Sequence, residues 1–142
     1  MGIFTRFRDI IGSNINSMLD RAEDPEKLIR LMIQEMEDTL IELKVACAGV
    51  MAESNRVRHQ LQTSEKRIHY WEDRARLAVT RGKDDLAREA LLEKRRFTQR
   101  SELLADEISR HQFLMGQYRE DIRQLEDCLL YTSDAADEYQ RE

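Results

Sequence analysis

The sequence predicts an all-α protein: a long antiparallel two-helix coiled-coil hairpin preceded by a short N-terminal amphipathic helix. Three observations predict it. Charged residues make up 36% of the 142 positions and aromatic residues 6%, with a single proline, which suits long helices with thin cores better than a compact globule. Apolar residues recur at alternating steps of three and four through two long stretches. Asp24-Pro25 and Gly82 punctuate those stretches where helices would begin and end.

The first element spans residues 1 to 23. On a wheel of about 3.6 residues per turn, Ile3, Phe4, Phe7, Ile10, Ile11, Ile15, Met18 and Leu19 share an arc about half the circumference wide. Thr5, Arg6, Asp9, Gly12, Ser13, Asn16 and Ser17 lie opposite, while Arg8 and Asn14 interrupt the apolar side. Such a face must be covered. It suits a protein groove, on the hairpin or a partner, and it equally suits the membrane interface, where the apolar side chains enter about 5 to 10 Å.

Asp24 and Pro25 form the expected hinge. Proline loses nothing in the first turn of a helix, where its N–H would have no partner, and aspartate before it is a good N-cap. From Ile29 a heptad seam runs through Met32, Met36, Leu43, Val50, Val57, Leu61, Ile68, Trp71, Ala75 and Ala78, with one repeated step of four near Val50 and Ser54. Arg81-Gly82-Lys83-Asp84 predicts a turn, with Gly82 left-handed and Asp84 capping the next helix. The returning seam runs through Ala87, Ala90, Phe97, Leu104, Ile108, Met115, Ile122, Leu125 and Leu129.

A turn this short makes the helices antiparallel neighbours. Folding about Gly82 pairs Ala75 with Ala90, Ile68 with Phe97, Leu61 with Leu104, Val57 with Ile108, Val50 with Met115 and Leu43 with Ile122. Helices of roughly 45 to 55 residues would make a rod about 70 to 80 Å long. Leu28, Leu31, Leu40, Ile41, Leu91, Leu92 and Leu103 fall off or beside the seam and are expected to stay uncovered, as candidates for contacts with partners or further copies of the chain. Thr132-Ser133-Asp134 is poor mid-helix sequence, so residues 130 to 142 read as an irregular acidic tail, disordered or foreign to the rest.

The net charge is −5, and residues 127 to 142 hold five acidic groups against one basic. The remainder is balanced, so neither an anionic membrane is disfavoured nor nucleic acid indicated by a basic tract. Lys94, Arg95, Arg96 and Arg100 cluster, but Glu89, Glu93 and Glu102 stand three or four residues away, and an ion-paired solvated face is expected. Trp71 with Tyr70 reads as seam packing under the Lys94 stem.

Catalysis needs polar groups converging in a concave site, and a two-helix rod offers no obvious one, so no enzyme activity is expected. His59, His69 and His111 lack zinc-site spacing and no cofactor or metal is implied. Cys47 and Cys128 are expected to be reduced, since nothing in the sequence indicates an oxidising compartment, and folding about Gly82 keeps them apart along the axis. No apolar run approaches the roughly 20 residues that cross a bilayer, and Asp9 breaks any secretory signal; a soluble or peripheral, cytoplasmic protein is expected.

The segment Ala22–Leu43, AEDPEKLIRLMIQEMEDTLIEL, resembles the phage shock protein A family. So do the opening MGIFTRFRDIIGSNINSML, the Trp71-Glu72 region and DDLAREALLEK at Asp84–Lys94. The resemblance covers residues 1 to about 126 and preserves the order of amphipathic helix, Asp-Pro junction, long helix, turn and returning helix. The family includes the vesicle-inducing protein of plastids and falls in the ESCRT-III-like superfamily. The resemblance implies a peripheral inner-membrane protein of the membrane stress response, in which Ile3, Phe4, Phe7, Ile10, Ile11 and Met18 insert into anionic or stressed lipid. It also implies homo-oligomers, and a hairpin that binds and inhibits an AAA+ transcription activator. The rival expectation is a structural polymer subunit for membrane remodelling. Family members continue through further helices, so the chain reads as an N-terminal fragment.

Overall fold

The computed structural model describes residues 20–141, which form two long α-helices and no strand. The predicted amphipathic helix, with Ile3, Phe4, Phe7, Ile10, Ile11, Ile15, Met18 and Leu19, lies outside the described residues. Helix α1 is Pro25–Thr80 and helix α2 is Asp84–Arg141. Contacts divide the described chain into two compact units: Val50–Leu114, and the described parts of Met1–Gly49 and Met115–Glu142. The repeated step of four in the α1 seam falls at this boundary.

Both ends of the connection follow from local chemistry. Asp24 caps α1: its Oδ1 accepts from the Lys27 amide at 3.2 Å, and its carbonyl accepts the first helical bond from Leu28 at 3.1 Å. Pro25 takes the first helical position. At the other end Gly82 sits at φ 70°, a conformation that costs a Cβ-bearing residue. There the Lys83 amide donates to the Ala78 carbonyl at 2.8 Å and the Gly82 amide to the Val79 carbonyl at 3.0 Å. These two bonds satisfy carbonyls that the helix end would otherwise leave open. The cap position of α2 belongs to Lys83, whose carbonyl accepts from Ala87 at 3.1 Å, and not to Asp84 as the sequence suggested. Asp84 and Asp85 occupy the first turn instead, where negative charge meets the positive end of the helix dipole.

In the unit Val50–Leu114 the arms are antiparallel and in the register that folding about Gly82 predicts. Ala75, Ala87 and Ala90 are buried near the turn, where small side chains let the helices approach. Val57 is fully buried and forms a cluster with Leu104 and Ile108, against which Leu61 packs. Ser64 joins the arms by a polar contact: its hydroxyl donates to the Phe97 carbonyl at 3.0 Å and lies 2.8 Å from the Ser101 hydroxyl.

In the other unit, Met32, Met36, Leu125 and Cys128 form the core, with Leu28, Leu40, Leu43 and Leu129 packed on it. Leu28 and Leu40 are thus partly covered, whereas the sequence left them open. Ile29 packs against Ala135, Ala136 and Tyr139.

The expected irregular tail at 130 to 142 is corrected, because α2 runs unbroken to Arg141. Thr132, the residue that argued against a helix, is fully buried; its hydroxyl donates to the Cys128 carbonyl at 2.9 Å and lies 3.8 Å from Met36 Sδ. Back-bonding of this kind satisfies a threonine hydroxyl inside a helix, and apolar contacts with α1 supply what local propensity lacks. Cys128 and Cys47 are both buried and free. Burial pushes the Cys128 thiol up, offset in part by the Thr132 hydroxyl.

Gly82 and Gly49 should respond oppositely to alanine, although an added Cβ would meet nothing within 4 Å at either. Gly82→Ala should lower stability by about 1 to 2 kcal/mol through its left-handed backbone. Gly49→Ala, in mid-helix, should raise it by roughly 0.8 kcal/mol. Urea melts of the two variants check this, and shifts of the same sign would contradict it.

Candidate functional site

Three features bear on function: the hinge, the seam and what the seam leaves outside. At the predicted hinge, Asp24 is exposed and holds the start of α1 by the bonds described, and α1 begins at Pro25. Of the predicted seam residues, Val57, Leu104, Ile108 and Met115 are buried. Leu43, Val50, Leu61, Ile68, Trp71, Phe97 and Ile122 are partly buried. Among the described residues, the seam atoms Ser54 Oγ, Trp71 Nε1 and His111 Nδ1 are enclosed and meet no hydrogen-bond partner. Among the described residues no group of three or more His, Cys, Asp and Glu is placed to hold a metal ion.

Outside the seam the predicted leucines and isoleucine are largely open to solvent. Leu31, Ile41, Leu91, Leu92 and Leu103 are 50% to 69% exposed, and Val45 and Phe113, which the sequence reading did not single out, reach 67% and 70%. On helical spacing Leu31, Ile41 and Val45 share the side of α1 opposite Met36. That second apolar stripe was legible as a periodicity displaced by half a turn from the seam.

The basic cluster is less neutralised than its sequence neighbours suggest. Of the expected pairs, Arg96 meets Glu93 at 3.2 Å. Lys94 instead reaches across the hairpin to Glu72 at 3.7 Å, and Glu72 also receives Arg76 at 3.2 Å. No carboxylate partners Arg95 or Arg100 among the described residues. Trp71 stacks edge-on to Tyr70, with centroids 5.1 Å apart, and the Lys94 ammonium is committed to Glu72. The guanidinium groups of Arg74 and Arg67 flank the Tyr70 ring at 5.1 and 6.0 Å.

A groove between the arms is lined by Arg56, Arg67, Arg96 and Arg100 together with His59 and Phe97. Arg56 is oriented by a fork onto Glu53, whose carboxyl it holds below the usual range. Sequence reading missed this groove because its arginines come from both helices. The part on α1 had a signal, since Arg56 and Arg67 stand eleven residues, about three helical turns, apart.

The PspA/IM30 family model matches residues 2–140. The chain belongs to the PspA/IM30 family. The match runs past Glu126, where the resemblance read from the sequence stopped, and takes in most of the acid-rich end of α2. The chain is similar to the membrane-associated protein Vipp1 of Synechocystis sp., at 32% identity over 89% of this chain and 47% of the relative. It is also similar to the phage shock protein A homologs of Deinococcus radiodurans and Bacillus subtilis, at 34% and 35% identity over 64% of this chain. These cover 41% and 40% of those relatives, so the PspA/IM30 chain spans about half or less of the length of the proteins it matches.

The surface charges give a pH test. Glu120 accepts a fork from Arg123 and a further bond from Gln124 at 2.9 Å, and these hold its carboxyl down to about 2. A depressed carboxylate contributes fully above its unfolded pKa of about 4.3, and that contribution is lost as pH falls toward the folded value. NMR titration of the Glu120 carboxyl should therefore show a midpoint near the low value, and Arg123→Gln should raise it. An unchanged midpoint in the variant would contradict the fork as its cause.

Proposed function

We propose that the chain is a peripheral membrane protein of the membrane stress response, a lipid-binding helix joined at Asp24-Pro25 to a protein-binding hairpin. The observation that carries this reading is family membership, with relatives named as membrane-associated and phage shock proteins. Two features of this chain support it. Residues 3 to 19 have the apolar and polar faces of an interfacial helix, with no partner chemistry written into them other than a wide apolar arc. No helix of the described residues is long and apolar enough to cross a membrane, so membrane contact through these residues would be peripheral.

In this reading Ile3, Phe4, Phe7, Ile10, Ile11, Ile15, Met18 and Leu19 enter anionic or stressed lipid at the cytoplasmic face of the inner membrane. The hairpin binds an AAA+ transcription activator and holds it inactive, and the role is one of binding rather than catalysis. If lipid and activator compete for the adaptor, linkage requires each to weaken the other's binding. The alternative, a structural subunit of a membrane-remodelling polymer, is favoured by the exposed stripe of Leu31, Ile41 and Val45, which suits contact with further copies.

Two measurements separate these readings. Placing Glu at Phe7 and Ile11 should weaken co-sedimentation with anionic vesicles by tenfold or more, on the order of two lost apolar anchors; equal binding would sink the lipid role of the helix. Adding the chain to the activator should suppress its ATP hydrolysis. No suppression at saturating chain would leave the structural reading.

A further inference from the structure

Within Val50–Leu114 one flank of the hairpin concentrates positive charge on a chain whose net charge is −5. Arg56, Arg67, Arg96 and Arg100 line one groove there, and no carboxylate lines it. A second groove on the same unit is lined by Arg74, Arg81 and Lys83, opposed by Glu89 and Glu93. Tyr70 links the two, because Arg67 of the first and Arg74 of the second both pack on its ring. Arg67, Arg74, Arg81 and Arg100 have no carboxylate partner among the described residues, so their charge is not neutralised within the fold.

The flank is also apolar in the manner of an interface. Leu77, Leu86 and Leu92 line the second groove and are 42%, 52% and 65% exposed, and Tyr70 is 41% exposed. Arginines with long apolar stems, a tyrosine and open leucines together suit the boundary between headgroups and acyl chains, where each group finds its own medium. Arg67, Arg74 and Arg81 recur every seven residues, about 10 Å apart along one straight helix face, a row that meets a plane of phosphates. Nucleic acid would use the arginines but leave the leucines in water, and the Tyr70 face that a base would stack on is taken by guanidinium groups.

We infer that this flank is a second lipid contact, docking on the headgroups of an anionic bilayer independently of residues 3 to 19. The inference rests on the membrane reading above but adds a separate site on the hairpin. Each arginine near an anionic surface contributes about a fivefold gain in binding.

The test uses the full chain and vesicles of phosphatidylglycerol and phosphatidylcholine in equal parts, with phosphatidylcholine alone as the comparison. Replacing Arg67, Arg74 and Arg81 by Gln should weaken binding to the anionic vesicles by about a hundredfold. Lys at the same three positions should restore most of it, since the charge is kept, and circular dichroism should show all chains equally helical. Wild-type binding by the Gln variant would overturn the site. Separately, the Phe7→Glu, Ile11→Glu chain reports on the N-terminal helix. If it binds as wild type while the Gln variant does not, the hairpin site stands and the helix reading falls; the reverse result removes the hairpin site alone. Release from the vesicles by duplex DNA at equal phosphate concentration would assign the flank to nucleic acid and overturn the lipid occupant.

Discussion

Everything in this structure depends on one constraint: two helices can bury only one stripe each, and the turn at Gly82 sets which stripes meet. The left-handed glycine and its two backbone bonds to Ala78 and Val79 fix the end of α1 and the start of α2 within three residues. From there Ala75 faces Ala90 and Ser64 faces Ser101, and the same offset brings Val57 to Ile108. In the other unit Ile29 packs against Ala136 and Met36 against Cys128. A slip by one residue would turn each stripe about 100° away from its partner.

A seam this thin has consequences for its chemistry. Its buried positions include the polar residues Ser54, Ser64 and Thr132. Ser64 is satisfied by bonding to a carbonyl on the other arm, and Thr132 by bonding within its own helix. Ser54, Trp71 and His111 each enclose a polar atom that meets no partner among the described residues. The buried apolar clusters, around Val57 in one unit and Met36 in the other, supply the stabilising burial.

The same constraint determines where function resides. With the seam used for folding, the outward faces are free to carry other interactions, and they are not uniform. One side of α1 opposite Met36 is aliphatic, at Leu31, Ile41 and Val45, while the flank near the turn is arginine-rich with leucines between. Ion pairs such as Arg123 with Glu120 stay within one helix turn and are exposed, so they orient side chains more than they hold the arms together. Lys94 to Glu72 and Lys44 to Glu126 instead join the arms, the former beside Trp71.

The sequence by itself determined the helices, their antiparallel register, the Asp24 cap, the Gly82 turn and the family, because each is written in local spacing or in a single residue's backbone preference. The register followed because the heptad of each arm counts from the same glycine. Only the tertiary structure decided what local preference misjudged. It continued α2 through Thr132, where contact with Met36 outweighs poor propensity, and placed Lys83 rather than Asp84 at the cap. It partly covered Leu28 and Leu40, and turned Lys94 from its own helix to Glu72. The arginine groove belongs to this second kind: Arg56 and Arg67 lie on one helix and Arg96 and Arg100 on the other, and charges that sum to near balance over residues 1 to 126 separate by side only once the arms are packed.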